Sequence, residues 1–433
     1  MQAIPQLVAQ QRTFFNTGTT KSTAYRLDAL RKLKSGIEQY HQRILDALHT
    51  DLNKSEAEAY GSEIRIVMGE LDFALENLES WAAPRQVPTS SALPDAVSTI
   101  YPEPYGVTLV IAPWNYPFQL AFGPLIGAMA AGNTAVVKPS ELTPAVSRLI
   151  YDLLTELFPA EYIAVVEGEV EASTALLKEK FDYIFFTGST GVGRVVMRAA
   201  AEHLTPVTLE LGGKSPSIVH HDADLKLAAQ RLVRGKFLNA GQTCVAPDYL
   251  LVHSSVKQQL VDLITAEIAD KFTDDVLQNP NFPHIVNTRN FDRLTGLMQD
   301  QQVMVGGRSV RDQLLIEPTL LDNVSWDAPV MQEEIFGPIL PVIAYDDLNP
   351  LLDEIVNRPK PLALYLFTQD EQLEEQVLNT VSFGGGCINE TLSHMTSHYL
   401  PFGGVGESGM GSYHGQQSFD VFSHHKSVMK RNA

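Results

Sequence analysis

The amino-acid sequence predicts an α/β protein with two open parallel sheets and a small third part. From residue 106 onward, short apolar runs alternate with stretches of helical periodicity, and each run is bounded by glycine or proline. This alternation is typical of strand–helix–strand units that bury a parallel sheet between helices. The series restarts near residues 211–213, and 433 residues exceed what one ordinary core needs. We therefore expect two α/β domains.

Helices are expected ahead of the first sheet, over 25–52 and 56–81. Apolar residues recur there at helical spacing, as at Leu27, Leu30 and Leu33. The next segment, 82–105, contains five prolines. Proline lacks the N–H group that a helix interior needs, so this segment favours an extended connector that could hold an edge strand.

Five β-rich runs predict the strands of the first sheet, with four helical stretches between them. The strands are expected at 107–112, 134–138, 163–167, 183–187 and 207–211. The helices are expected at 119–131, 143–157, 172–177 and 192–202.

A second series of the same kind follows. Its strands are expected at 218–220, 249–252, 304–305, 318–321, 339–344 and 363–368, with helices at 225–239 and 257–271. The tail from Gly384 is rich in glycine and is expected to end in a strand at 418–423.

Composition excludes several classes of partner. Hydrophobic residues make up 44% and charged residues 19% of the chain, as in ordinary globular proteins. The formal net charge of −19 disfavours nucleic acid and anionic membrane surfaces, which require a basic face. We find no signal peptide and no run of about 18 apolar residues. The two cysteines favour free thiols in a reducing compartment, so a cytoplasmic location is expected.

A glycine-containing turn is a candidate phosphate site. The segment 188–193 follows an expected strand and opens an expected helix, with Gly188 and Ser189 at the turn and Gly193 in the first helical turn. Free N–H groups at a helix N-terminus bind anions such as phosphate. A plain strand–turn–helix connection explains the same pattern equally well.

Three side chains are candidates for catalysis. Glu210 lies at the end of an apolar strand, where a carboxylate is costly unless it is paired or functional. Cys244 follows a helical run in a loop broken by glycine and proline, where a thiol is reachable. Asn115 follows the first strand of the sheet and could donate to an oxyanion. Taken singly, each could also be structural, and we interpret Cys387 as structural.

Histidine pairs occur at 220–221 and 424–425. Neither pair shows a spacing typical of metal ligands, so no metal site is expected.

Taken together and in this order, the motifs resemble the aldehyde dehydrogenase superfamily over nearly the whole chain. They are APWNYP at 112–117, KPSE at 138–141, FTGS at 186–189, LELGGK at 209–214, GQTC at 241–244 and EEIFGP at 333–338. The short length and the tail motifs PFGGVG at 401–406 and GMGSYHG at 409–415 look like the class 3 branch.

The resemblance implies a three-part subunit. A Rossmann-like NAD(P)-binding domain would comprise residues 1–81 and 101–211, and a catalytic domain would comprise 212–384. Residues 82–100 and 385–433 would form a small bridging β domain, and the protein would be a homodimer. Some class 3 fatty-aldehyde enzymes carry a hydrophobic C-terminal anchor, and none is expected here.

The resemblance also implies a reaction. Cys244 would attack the aldehyde as a thiolate, and Asn115 would stabilise the hemithioacetal oxyanion. After hydride transfer to NAD or NADP, Glu210 would activate the water that hydrolyses the thioester. Tyr116 and Phe402 would line the tunnel for a medium or long aliphatic or an aromatic aldehyde.

The same resemblance implies a binding site for NAD or NADP. Lys138 and Glu141 would hold the adenosine ribose, and the turn 188–193, with Gly188, Ser189 and Gly193, would meet the phosphates. Glu334 would bind the nicotinamide ribose, and Phe336 would pack beside the nicotinamide ring.

Three other readings remain open at this stage. An acyl-transfer relative would release the thioester to coenzyme A or run as a reductase, but it would have little use for Glu210. A cysteine hydrolase would pair Cys244 with a histidine, and no histidine stands out for that role. A catalytically silent protein of the same fold would have no reason to keep Cys244, Glu210 and Asn115 together.

Overall fold

The computed structural model describes residues 3–273 and 275–431. Both expected helical stretches near the N-terminus are present, although each is divided. The helices are α1 (Ile4–Asn16), α2 (Thr23–Gln39), α3 (His41–Leu52), α4 (Glu56–Ala59) and α5 (Arg65–Ala82). A single π-helical turn, Tyr60–Ile64, joins α4 to α5.

The connector after α5 contains two strands, β1 (Arg85–Val87) and β2 (Ala96–Pro104). They form a three-stranded antiparallel sheet with β18 (Ser423–Arg431), which pairs with β2 over nine residues. The strand expected at 418–423 is wrong. Residues Gln416–Val421 form a short helix, α15, and the last strand begins only at Ser423.

The first large sheet has six strands, and its five expected parallel strands are confirmed. They are β3 (Val107–Ile111), β4 (Thr134–Lys138), β5 (Ile163–Val165), β6 (Tyr183–Thr187) and β7 (Val207–Glu210). Their order is β7-β6-β3-β4-β5, and β17 (Gly409–Met410) adds an antiparallel edge beside β7. The helices between them are α6 (Gln119–Ala131), α7 (Pro144–Leu157), α8 (Val170–Leu177) and α9 (Thr190–Ala201).

Both faces of this sheet are buried, as expected for parallel strands flanked by helices. Val110 and Phe185 face the large core that the sheet shares with α2, α5 and α6. Leu109 and Ile184 face a smaller core beneath α1 and α9.

The second large sheet has seven strands in the order β10-β13-β14-β9-β8-β15-β16. They are β8 (Pro216–Val219), β9 (Tyr249–His253), β10 (Gln302–Val305), β13 (Thr319–Asp322), β14 (Ile339–Tyr345), β15 (Ala363–Phe367) and β16 (Gly385–Ile388). Only β10 is antiparallel to its neighbour. The associated helices are α10 (Leu225–Phe237), α11 (Lys257–Phe272), α12 (Thr288–Leu297), α13 (Leu348–Val356) and α14 (Glu371–Thr380).

Two details complete the fold. Strand β16, which we assigned from sequence to the bridging segment, is hydrogen-bonded to β15 and forms one edge of the second sheet. A hairpin of β11 (Ser309–Val310) and β12 (Leu315–Ile316) stands apart from both large sheets. No helix among the described residues is both long and apolar enough to cross a membrane.

Candidate active site

A cavity of about 210 Å³ lies where the carboxyl ends of β6 and β7 face the loop that precedes β9. Ligands of open α/β sheets bind at such strand ends. Eight residues selected from the sequence line this cavity: Asn115, Gly188, Ser189, Glu210, Cys244, Glu334, Phe336 and Phe402. Four others, Tyr116, Lys138, Glu141 and Gly193, lie outside its lining.

Glu210 ends β7 with its side chain turned into the protein. It is 3% exposed, and none of the residues that the structure describes donates a hydrogen bond to either carboxylate oxygen. Burial raises the pKa of this carboxyl well above its usual value. Because an unpaired buried carboxylate is costly, its presence beside a cavity indicates a functional group that can take up a proton.

Cys244 lies in the loop opposite Glu210 and is half-buried. Burial raises the pKa of its thiol to about 12, and the nearby carboxylates of Glu334 and Glu210 add to the effect. The thiol of the protein alone is therefore neutral at pH 7. A nucleophilic thiolate then requires a proton acceptor or an added positive charge nearby.

The cysteine loop begins with an unusual backbone. Asn239, Ala240 and Gly241 have φ angles of 52°, 51° and 74°. Three successive residues thus adopt the left-handed conformation, which L-residues with a side chain rarely do. A Cβ atom at Gly241 would collide with the carbonyl oxygen of Gly337, so the loop can pack this closely only with glycine there.

Two buried tyrosines hold the loop on either side of the thiol. The Tyr116 hydroxyl and the Thr243 hydroxyl are 2.6 Å apart. The Tyr365 hydroxyl donates to the carbonyl oxygen of Val245 over 2.6 Å. Tyr116 therefore lies behind the cysteine loop rather than in the cavity wall, which differs from the tunnel position expected from sequence. Tyr365 was not anticipated, because an aromatic residue in a buried strand gives no local signal of such a contact.

Asn115 lies in the loop that follows β3 and is 3% exposed. Its side-chain Nδ2 donates to the carbonyl oxygen of Gln242 over 3.0 Å. An amide nitrogen carries two N–H groups, so one remains for a ligand in the cavity that Asn115 lines.

The turn after β6 fits a phosphate group. Ser189 caps α9 and is exposed, and its hydroxyl accepts from the Val192 N–H over 3.4 Å. A Cβ atom at Gly188 would lie 2.6 Å from the ring of Phe186, and one at Gly193 would lie 2.6 Å from Leu211. Both glycines are thus needed for the close packing that leaves the helix N-terminus open to an anion.

Lys138 and Glu141 form an ion pair of 2.7 Å just beyond β4. Lys138 is buried, and Glu141 is about one-third exposed. Burial alone would raise the pKa of Glu141, but the hydrogen bond from Lys138, a backbone hydrogen bond and the Lys138 charge together outweigh it, so the pKa is lowered. The pair therefore presents a fixed carboxylate to solvent near the first sheet, as a hydroxyl-rich ligand such as ribose would require.

Glu334 and Phe336 form another wall of the cavity. Burial raises the pKa of Glu334 to about 8, Asp248 adds to the rise, and a hydrogen bond from the Gly213 backbone opposes it. A Cβ atom at Gly212 would collide with the Glu334 carboxylate. The Phe336 ring meets the Trp114 ring edge-on, with centroids 5.3 Å apart.

A group with metal-ligand chemistry lies elsewhere, at the carboxyl end of β8. His220, His221 and Asp222 each place one potential ligand atom within 4.8 Å of the others. The absence of a metal site, expected from sequence, stays a prediction.

The chain matches the family model described as "Aldehyde dehydrogenase family" over residues 2–428. It is 51% identical to 4,4'-diaponeurosporen-aldehyde dehydrogenase of Staphylococcus aureus, covering 99% of this chain and 94% of that protein. It is 41% identical to the dimeric NADP-preferring aldehyde dehydrogenase of Canis lupus familiaris, covering 100% and 95%.

Two solved structures show the same fold. A substrate-bound Staphylococcus aureus AldH superposes with a TM-score of 0.98 at 49% identity, covering 100% of this chain and 95% of that one. An indole-3-acetaldehyde dehydrogenase in complex with NAD+ superposes with a TM-score of 0.90 at 26% identity, covering 99% and 89%.

Proposed function

The chain belongs to the aldehyde dehydrogenase family and is an NAD- or NADP-dependent aldehyde dehydrogenase, and we propose that its reaction proceeds through a thioester on Cys244 that water hydrolyses with Glu210 as base. One observation is the main support for this proposal. The wall of the cavity contains the Cys244 thiol and the buried Glu210 carboxylate, which has no hydrogen-bond partner among the described residues. A soft nucleophile and a separate base are what a two-step acyl mechanism needs.

The first step forms a bond between the Cys244 sulfur and the aldehyde carbon, after the thiol has lost its proton to water. The carbonyl oxygen then becomes an oxyanion, and the free N–H of Asn115 together with the Cys244 backbone N–H would stabilise it. Loss of hydride from this carbon leaves a thioester, which is stable until water reaches it.

The second step releases the acid. Glu210 would take a proton from water, and the hydroxide would displace the Cys244 thiolate from the acyl carbon. Coenzyme A-dependent release, the alternative left open by the sequence, is not favoured. The matched relatives are aldehyde dehydrogenases, and Glu210 serves hydrolysis.

The residues around the cavity fit a dinucleotide. Bound NAD or NADP supplies the acceptor for the hydride. Ser189 and Gly193 would place the N-terminus of α9 against the phosphates. Lys138 and Glu141 would hold the adenosine ribose, where the Glu141 carboxylate disfavours a 2′-phosphate by charge repulsion.

The nicotinamide half would lie on the other wall of the cavity. Glu334 would bind the nicotinamide ribose, and Phe336 would pack beside the ring. The Thr187 hydroxyl, at the end of β6 in the same cavity, is buried and has no hydrogen-bond partner among the described residues, so it is available to a polar ligand.

The aldehyde is proposed to be apolar, of medium or long chain or aromatic. Leu120, Phe402 and Tyr413 line the cavity, so its substrate side is largely hydrocarbon. The name of the Staphylococcus aureus relative gives 4,4'-diaponeurosporen aldehyde, a further argument for an apolar chain.

We also propose an assembly state and a cellular location. The dog relative is named as dimeric, which supports a homodimer. We propose the domain boundaries given above, with β16 moved from the bridging segment to the catalytic domain because it pairs with β15, and a cytoplasmic location on the sequence argument.

The test measures absorbance of the reduced cofactor with purified protein, NAD or NADP and a panel of aldehydes. Cys244→Ala should abolish the signal. Cys387→Ala is the matched control, because it removes the other free thiol and leaves the cavity wall intact. Activity that survives Cys244→Ala, or no reduced cofactor from the wild type with any aldehyde, would overturn the proposal.

A further inference from the structure

Resting on the proposed function, we propose that Lys54 is a positioning residue, which fixes the backbone of Asn115 so that its side-chain amide meets the oxyanion. Lys54 lies between α3 and α4, far along the chain from the sheet that carries Asn115. Its Nζ donates to the carbonyl oxygen of Asn115 over 3.0 Å, across 61 positions of sequence.

Lys54 belongs to a buried ion pair. Its Nζ lies 2.5 Å from Glu63 Oε1, and both side chains are 0% exposed. The same ammonium lies 4.1 Å from the centroid of the Tyr116 ring. The Lys54 cation therefore contacts two successive residues of the loop after β3, by a hydrogen bond to one and by a cation–π contact with the next.

The partner carboxylate holds the other end of that loop. Glu63 Oε2 accepts from the backbone N–H groups of Phe118 and Gln119, over 3.0 Å and 2.9 Å. These groups open α6, where unpaired N–H donors need an acceptor. Glu63 itself lies in the π-helical turn between α4 and α5, a local departure that is frequent at functional sites. One ion pair thus holds residues 115–119 from both ends.

The energetics favour positioning over stabilisation. A buried ion pair costs desolvation energy, and apolar residues of similar volume often stabilise a fold as well or better. The carbonyl oxygen of Asn115 has a second donor, Asn239 Nδ2 at 2.8 Å, so Lys54 is not needed merely to satisfy it. The pair adds a fixed position for the Asn115 peptide, because Lys54 and Glu63 together hold the loop 115–119 at both ends.

The experiment is a double-mutant cycle between Lys54→Met and Asn115→Ala. Hexanal and NAD are mixed with enzyme in a stopped-flow instrument, and the rate of the first turnover is followed by reduced cofactor. Lys54→Met should lower this rate by about 10-fold, which is less than the about 10²–10³ expected for loss of the oxyanion donor itself. In the Asn115→Ala background, Lys54→Met should not lower the first-turnover rate any further, because the side-chain amide that Lys54 positions is already absent.

Two further readouts separate positioning from a general loss of structure. The dissociation constant for NAD should stay unchanged. The rate of thioester hydrolysis should fall with that of the first turnover, because its tetrahedral intermediate places an oxyanion against the same Asn115 amide, whereas its pH dependence, which reports Glu210, should keep the wild-type midpoint. Lys34→Met is the surface control, since it removes a partly exposed lysine–carboxylate pair of 2.5 Å, with Asp72, from the N-terminal helices.

The outcomes decide the proposal. A full additional loss from Lys54→Met in the Asn115→Ala background, or no loss in the wild-type background, overturns it. If Lys54→Met fails to fold, the double change Lys54→Met with Glu63→Gln enters the same cycle, because it removes the carboxylate paired with Lys54 and keeps an oxygen that accepts from Phe118 and Gln119. Failure of the proposed function is distinguishable, because wild type itself would then give no reduced cofactor.

Discussion

Replacing Glu210 by glutamine should leave the first half of the reaction intact and stop the second. The amide has the same shape as the carboxyl group, so the change opens no cavity in the packed end of β7. Neither Glu210 oxygen accepts a hydrogen bond from the described residues, so no protein contact is lost either. The only expected loss is the ability to take a proton from water.

The size of the effect follows from that single loss. A well-placed general base contributes about 10²–10⁴ in rate. Hydrolysis of the thioester in Glu210→Gln should therefore fall by about that factor, while reduced cofactor still forms once per Cys244. Steady-state turnover should then be preceded by a burst whose amplitude approaches one equivalent of enzyme.

The assay is stopped-flow absorbance of reduced cofactor, followed by mass spectrometry of the quenched protein to find the acyl group on Cys244. The pH dependence gives an independent check. Burial raises the pKa of Glu210, so the active carboxylate form grows as pH rises. Hydrolysis by wild type should therefore accelerate with pH, and Glu210→Gln should lack this rise. A large fall in turnover without a burst or an acylated cysteine would refute the reasoning.

Three further predictions concern other parts of the site. Tyr365→Phe leaves the Val245 carbonyl without its donor and should lower the free energy of unfolding, measured in urea, by about 1–3 kcal/mol. An unchanged urea midpoint would show that this hydrogen bond does not stabilise the cysteine loop. Glu141→Gln should raise the ratio of kcat/KM for NADP over NAD by about fivefold, since a charge pair near 4 Å is worth about 1 kcal/mol in water; an unchanged ratio would remove Glu141 from the ribose site. Glu334 has a pKa of about 8 in the folded protein, above its ordinary 4.5, so the folded state binds the proton more tightly than the unfolded state. The resulting contribution to the free energy of unfolding is present at low pH and is lost as the pH rises from about 4.5 to about 8. Between pH 6 and 8, Glu334→Gln should therefore lose less stability than wild type, by up to about 1.4 kcal/mol per pH unit in thermal or urea unfolding, and an equal loss in both proteins would refute this.

Local sequence patterns predicted the two large sheets well. The parallel strands are continuous apolar runs buried on both faces, and such runs are visible without tertiary information. Glu210 and Cys244 stood out for the same reason, because a carboxylate at the end of an apolar strand and a thiol in a loop both break the surrounding pattern. The structure places both in one cavity.

The tail could not be predicted in this way. Phe419 and Val421 alternate with polar residues, which favours a strand over 418–423, yet this segment closes a helix. The actual strand, β18, has eight of its nine residues exposed, so its pairing with β2 depends on backbone hydrogen bonds and leaves no hydrophobic pattern. Gly385–Ile388 escaped notice because two of its four residues are glycines, which are depleted in strands.

The contacts that hold the Asn115 loop could not be predicted from the sequence either. Lys54 and Glu63 lie in a polar stretch of the N-terminal helices that resembles a solvated surface. They contact the Asn115 loop across more than 50 positions of sequence. Long-range hydrogen bonds of this kind depend on how helices dock onto the sheet, and no local spacing encodes that docking.

The left-handed turn Asn239–Gly241 has a consequence for the order in which the enzyme becomes competent. Two of its residues carry side chains, and each costs about 1–2 kcal/mol in this conformation, so the turn does not persist alone. Part of its support comes from the N-terminal helices, where Glu58 accepts from the Asn239 N–H over 2.8 Å. We therefore expect the position of Cys244 to depend in part on the docking of the N-terminal helices, so that conditions which loosen this docking should lower activity before the two sheets unfold.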